Sequence, residues 1–169
     1  MPEAKLNIFF AKKKKTTRNH QTGSEPLWYN HGKYQDNGGC GFILKPEYLR
    51  KPDPNYAPIM QRKAAKTLYV NVIGAWQLPK KAGISKEENT KGSVIKPYVA
   101  VKINGVPQDD FSGKTGSVKN NGFNPTFKKE FKIPLTMPDL AHILFIVKND
   151  GLTSDEFIAQ FSMQVSNIR

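Results

Sequence analysis

Apolar and polar residues alternate with a period of two through much of the second half of the chain. Leu68, Val70 and Val72 alternate with Tyr69, Asn71 and Ile73, and Val99, Val101 and Ile103 alternate with Ala100 and Lys102. Phe127, Phe131 and Ile133 point one way, against Lys128, Glu130 and Lys132. This is the pattern of half-buried antiparallel strands with one wet face. Residues 143–147 are apolar on both faces, which predicts a strand at the centre of its sheet. Phe157, Ala159, Phe161, Met163 and Val165 are expected on one face of a last strand, with Gln160, Ser162 and Gln164 on the other. A short strand over 115–118 brings the number to six, spaced as in a β-sandwich or small barrel. Asn120-Asn121-Gly122 and Asn124-Pro125 supply turn residues ahead of the fourth strand, and Asn104-Gly105 reads as a hairpin-type turn.

The first third is different in character. The run Lys12-Lys13-Lys14-Lys15 makes residues 1–18 a basic, solvated, disordered tail. A short helix is expected over 25–34. Gly38-Gly39-Cys40-Gly41 demands unusual backbone angles, and Phe42-Ile43-Leu44 then reads as a short apolar strand. The glycines are not a phosphate loop, which follows a strand, opens a helix and carries Gly-Lys-Ser/Thr. Residues 51–66, with Pro52, Pro54 and Pro58, read as a linker, and the polar stretch from Gly74 to Ile95 as a long loop.

Composition narrows the partners. The 169 residues carry a formal net charge of +12 and 38% hydrophobic residues, so an anionic partner is expected. The lysines are scattered, and Trp28 and Trp76 are not interleaved with them as a stacking platform, so no nucleic acid is expected. One cysteine, Cys40, leaves no internal disulfide and fits a reducing compartment. No apolar run approaches the roughly 20 residues of a membrane-spanning helix. His20, His31 and His142 lack nearby carboxylates, so packing or surface roles are expected of them, not acid–base catalysis.

Several motifs, in unbroken order over roughly residues 19–165, carry a resemblance. Asn37-Gly38-Gly39-Cys40-Gly41-Phe42-Ile43-Leu44-Lys45-Pro46 resembles the end of the Y half of the catalytic barrel of phosphoinositide-specific phospholipase C. Gln77-Leu78-Pro79-Lys80, Asn120-Asn121-Gly122-Phe123-Asn124-Pro125, Pro138-Asp139-Leu140-Ala141 and Phe157-Ile158-Ala159-Gln160 resemble the C2 domain that follows it, most like the delta type. The resemblance implies a mainly β chain: a C2-type antiparallel β-sandwich over 67–169, preceded by a TIM-barrel fragment over 19–50. The family domain has eight strands against the six counted here, which implies a truncated sandwich lacking its last strands, of poor stability.

The activity implied is hydrolysis of phosphatidylinositol 4,5-bisphosphate to diacylglycerol and inositol trisphosphate. The family's catalytic histidines, its catalytic Ca²⁺ ligands and its headgroup-binding serine, arginine and tyrosine have no counterpart here, so no catalytic residue is assigned. The chain is expected to supply membrane docking only, in the cytoplasm, peripherally at an anionic phospholipid membrane and alongside the remainder of the barrel. The alternative is a stand-alone C2-like adaptor for anionic membrane or a protein partner.

Many C2 domains hold Ca²⁺ in acidic loops, matched here by 78–96, 119–126 and 148–156. Ca²⁺ takes six to eight oxygen ligands, largely carboxylates. Lys96 stands where the family has an aspartate, and Asn121, Asn149 and Asp150 are the remnant metal ligands. The resemblance therefore implies weak Ca²⁺ binding or none. Lys96, Lys119 and Lys148 are expected to meet anionic lipid directly, each worth about 1 kcal/mol near the surface.

Overall fold

In the computed structural model, the described residues are 23–35, 37–46, 50, 64–79, 95–151 and 154–168. The expected basic tail, His20, most of the linker and the middle of the 78–96 loop lie outside them. Helix α1 spans Glu25–Gln35. Six strands follow among the described residues: β1 Lys66–Gly74, β2 Pro97–Asn104, β3 Phe111–Lys114, β4 Thr126–Leu135, β5 His142–Asn149 and β6 Glu156–Gln164.

The strands form two antiparallel sheets, β1–β4 and β3–β2–β5–β6. The alternating residues fill the space between them. Val70, Val72, Phe131, Ile133 and Leu135 from one sheet pack against Val99, Val101, Ile103 and Ile143 from the other. Gly113 leaves the room that Phe131 occupies. A Cβ there would lie 2.7 Å from the Phe131 ring, which instead meets Phe111 edge-on at 5.9 Å. β5 is central, as its two apolar faces predict.

The second apolar face of β5 is covered by α1, which packs on β5 and β6. Leu144 and Ile146 are fully buried there and His142 nearly so. Close approach rests on Gly32. A Cβ at that position would sit 2.5 Å from the Ser162 carbonyl oxygen. The Ser162 hydroxyl donates to the Trp28 carbonyl at 2.5 Å, and Glu25 pairs with Lys102 of β2. A close small-residue contact, a hydrogen bond, an ion pair and the stacking of Trp28 on Phe157 thus help hold the helix on the sheet, over an apolar floor.

Four expectations are corrected. Phe42-Ile43-Leu44 is not a strand. Phe42 and Leu44 are 69% and 76% exposed, and among the described residues no strand pairs with this segment. The third strand lies at Phe111–Lys114, not 115–118. Beyond Lys114 the chain still donates from Thr115 N to Val99 O and from Val118 N to Pro97 O, but the Thr115 hydroxyl takes the Val99 amide that a regular ladder would give to backbone. The β2–β3 connection is not a tight turn at Asn104-Gly105; it runs on through a 3₁₀ turn, Pro107–Asp109. Finally, Phe157 does not share a face with Ala159, Phe161 and Met163. The register shifts between Val147 and Lys148, so Ala159 faces Val147 but Phe157 faces Lys148. This bulge turns Phe157 to the outer face, where it stacks on Trp28 at 4.9 Å.

Candidate functional site

The expected site residues gather at the sandwich end where β1 leaves, β2 and β4 begin and β5 turns into β6. Backbone hydrogen bonds tie the segments together. Lys96 O accepts from Asp150 N at 2.9 Å, and Pro97 O accepts from Val118 N at 3.0 Å. Ala75 N, Gln77 N and Leu78 N donate to Pro125 O, Phe123 O and Gly122 O at 3.0, 2.7 and 2.9 Å. Turn chemistry sets the path. Asn120 and Gln77 hold positive φ of 54° and 52°, and Asn121 Oδ1 accepts from the amides of Phe123 and Asn124 at 3.2 and 3.0 Å.

Lys96 and Lys119 both stand at this end, Lys96 half-buried and Lys119 exposed. Lys148 and Asn149 belong to β5 and not to the loop expected over 148–156. Lys148 faces Tyr98 across the sheet. Asp150 is exposed on the loop proper.

Of the oxygens expected to bind a metal, those of Asn121 and Asn149 have other partners, while the Asp150 carboxylate is exposed. Asn121 Oδ1 closes its own turn. Asn149 Oδ1 accepts from Lys96 N at 2.8 Å, while its Nδ2 donates to Glu156 at 3.3 Å. Asp155 accepts from the Tyr98 hydroxyl at 2.6 Å. Burial pushes that phenol up to about 12, helped by the bond to Asp155 and by the charges of Asp155 and Asp150. No three His, Cys, Asp or Glu among the described residues come close enough to share a metal ion. With the two amide oxygens committed, Asp150 is the one expected ligand left, and the described donors fall short of the convergent oxygens that a Ca²⁺ site needs.

Two residues at this end were not anticipated. Trp76 and Phe123 are 69% and 70% exposed, and the Gln77–Phe123 bond brings their backbone segments together. An available signal was the placement of two large aromatics inside turn-rich sequence, where no strand face exists to bury them. No helix among the described residues is long and apolar enough to cross a membrane.

The fold is a two-sheet antiparallel sandwich, and its candidate surface is a cluster of loops bearing lysines and exposed aromatics. The chain belongs to the C2 domain family, whose model matches residues 66–169. It is 40% identical to a 1-phosphatidylinositol 4,5-bisphosphate phosphodiesterase of Dictyostelium discoideum and 36% identical to the delta-1 phosphodiesterase of the same name from Homo sapiens. Each match covers 89% of this chain, and 19% and 20% of the respective relative. A human protein named inactive phospholipase C-like protein 1 is 33% identical over 86% of this chain and 13% of its own length. The chain thus spans about a fifth or less of the relatives it matches.

Proposed function

We propose that this chain is the C-terminal docking part of a phosphoinositide-specific phospholipase C and that it holds an anionic membrane surface without needing calcium. The carrying observation is the loop end, where Lys96, Lys119, Trp76 and Phe123 all stand and the side-chain oxygens of Asn121 and Asn149 bond to protein groups. Hydrolysis of the bisphosphate lipid belongs to the larger protein; residues 19–50 read as the end of its barrel, 51–66 as a linker and 67–169 as the C2 unit. The matches to the phosphodiesterases cover more of the chain than the C2 model does, which supports that division. In this reading the protein is cytoplasmic and peripheral at the membrane.

The test is sedimentation with phosphatidylserine-containing vesicles. Each near-surface lysine is worth about 1 kcal/mol, so Lys119→Ala is expected to weaken binding about fivefold. Removing both exposed rings, with Trp76→Ser and Phe123→Ser together, is expected to weaken it by about tenfold or more, through loss of interfacial aromatic burial. Vesicle affinities equal to wild type in both variants would overturn the assignment of this end.

Calcium is tested separately. Calorimetric titration is expected to show no micromolar site, and vesicle binding to be the same with chelator present. Saturable micromolar Ca²⁺ binding would contradict the reading.

A second reading is a non-enzymatic adaptor with the same docking end. It is favoured by the likeness to a protein named as an inactive phospholipase C-like protein. Assaying bisphosphate-lipid hydrolysis by the full-length protein separates the two.

A further inference from the structure

The outer face of the β1–β4 sheet is uncovered among the described residues, and its composition is unusual for a solvated face. Tyr69 and Ile73 of β1 are each 61% exposed. Across the ladder Tyr69 faces Lys132, whose ammonium lies 5.7 Å from the ring centroid. Near Ile73 the β4 strand bulges: Gly74 pairs with Thr126 and Val72 with Lys129, and Lys128 adopts φ 46°. Bulges re-aim side chains. This one leaves Lys128 and Lys129 both exposed and keeps Phe127 partly buried against the core. A lone acid, Glu130, sits between the lysines opposite Asn71.

The opposite side of the sandwich differs. There α1 covers the four-stranded sheet, and Lys102 is neutralised by Glu25. The two strands of the open face run directly into the loop end, since Trp76 follows β1 and Phe123 precedes β4. Over about 14 Å of strand, Tyr69 and Ile73 of β1 stand beside Lys132 and Lys128 of β4, with Asn71 and Glu130 between them. Exposed rings and basic stems are the pairing that suits an anionic lipid interface, where rings sit at headgroup depth and ammonium groups meet phosphate.

We propose that the outer face of the β1–β4 sheet lies on the same anionic lipid surface as the loop end, so that the domain docks side-on with α1 turned to solution. This rests on the membrane reading above and adds an orientation and a second set of contacts. Lys128→Asn with Lys132→Gln is expected to lower affinity for phosphatidylserine-containing phosphatidylcholine vesicles on the order of 20-fold, from about fivefold per lysine. Asparagine is chosen because it tolerates the positive φ. Melting curves of the variants check that the fold is kept.

A second measurement does not depend on affinity. In a Cys40→Ser background, Asn71→Cys and His31→Cys each carry an environment-sensitive fluorophore, one on the open face and one on the exposed side of α1. A blue shift with vesicles at position 71 alone supports the proposal. A shift at 31, at both positions or at neither while the protein sediments overturns it. Wild-type protein that fails to sediment overturns the docking reading itself. Wild-type binding that depends on Trp76 and Phe123 but not on Lys128 and Lys132 overturns only the side-on orientation.

Discussion

Asp109→Ala is expected to lower the unfolding free energy by about 3–5 kcal/mol, the sum of stranding two backbone amides and losing a hydroxyl partner. Asp109 is 2% exposed, in the 3₁₀ turn between β2 and β3. Its Oδ1 accepts from Thr136 N at 2.7 Å and from the Thr136 hydroxyl, and its Oδ2 accepts from Met137 N at 2.8 Å. The carboxylate therefore clips the β2–β3 connection to the β4–β5 connection. Alanine leaves two amides in a largely buried place without their acceptor. Asp109→Asn keeps one oxygen and is expected to cost about half as much. Urea unfolding measures both, and a loss below about 1 kcal/mol for the alanine variant would remove Asp109 from this role.

The second large effect is a loss of stability on acidification, centred on His142. The ring is 3% exposed beneath α1, with Nδ1 3.3 Å from Leu140 O. Burial lowers its pKa from 6.5 to about 4; the Leu140 carbonyl opposes this and the charge of Lys33 adds to it. The sign follows from which state binds the proton. Between pH 6.5 and about 4 the unfolded chain is protonated at this histidine and the folded chain is not. The contribution is therefore fully present above pH 6.5 and is lost as pH falls toward 4, amounting to about 3 kcal/mol across the interval. His142→Gln removes this slope, so the difference between wild type and variant isolates it from the carboxylates. Parallel stability–pH curves for the two proteins between 4 and 6.5 would contradict it.

The inner face was legible because its signal is local and repeated. Leu68, Val70 and Val72, then Val99, Val101 and Ile103, then Phe131 and Ile133 alternate over whole strands, and all line the space between the sheets. The positive-φ glycines and Asn120 were legible for the same reason, with Gly38, Gly39 and Gly41 at φ of 59°, 77° and 76° and Asn120 at 54°, whereas Gln77 and Lys128, at 52° and 46°, carry no such signal. The candidate site was half legible. Lys96 and Lys119 do stand at one end, but the side-chain oxygens of Asn121 and Asn149 are drawn into turn and strand closure by backbone amides that no motif spacing displays.

The sequence by itself determined five of the six strands, the central place of β5, the helix over most of its length and the turn chemistry of 120–125. These depend on residue type and period within a few positions. Tertiary structure alone decided four other things. One unpaired residue in β6 sends Phe157 to the outer face, because a bulge breaks a period of two that is continuous in sequence. Gly32 meets Ser162 across 130 positions of chain, which gives β5 its second buried face. Asp109 is buried because its partners Thr136 and Met137 arrive from the next connection, which no local pattern around it displays. Trp76 and Phe123 became one surface only when backbone bonds brought their turns together, since exposure is a property of what packs nearby and not of the residue.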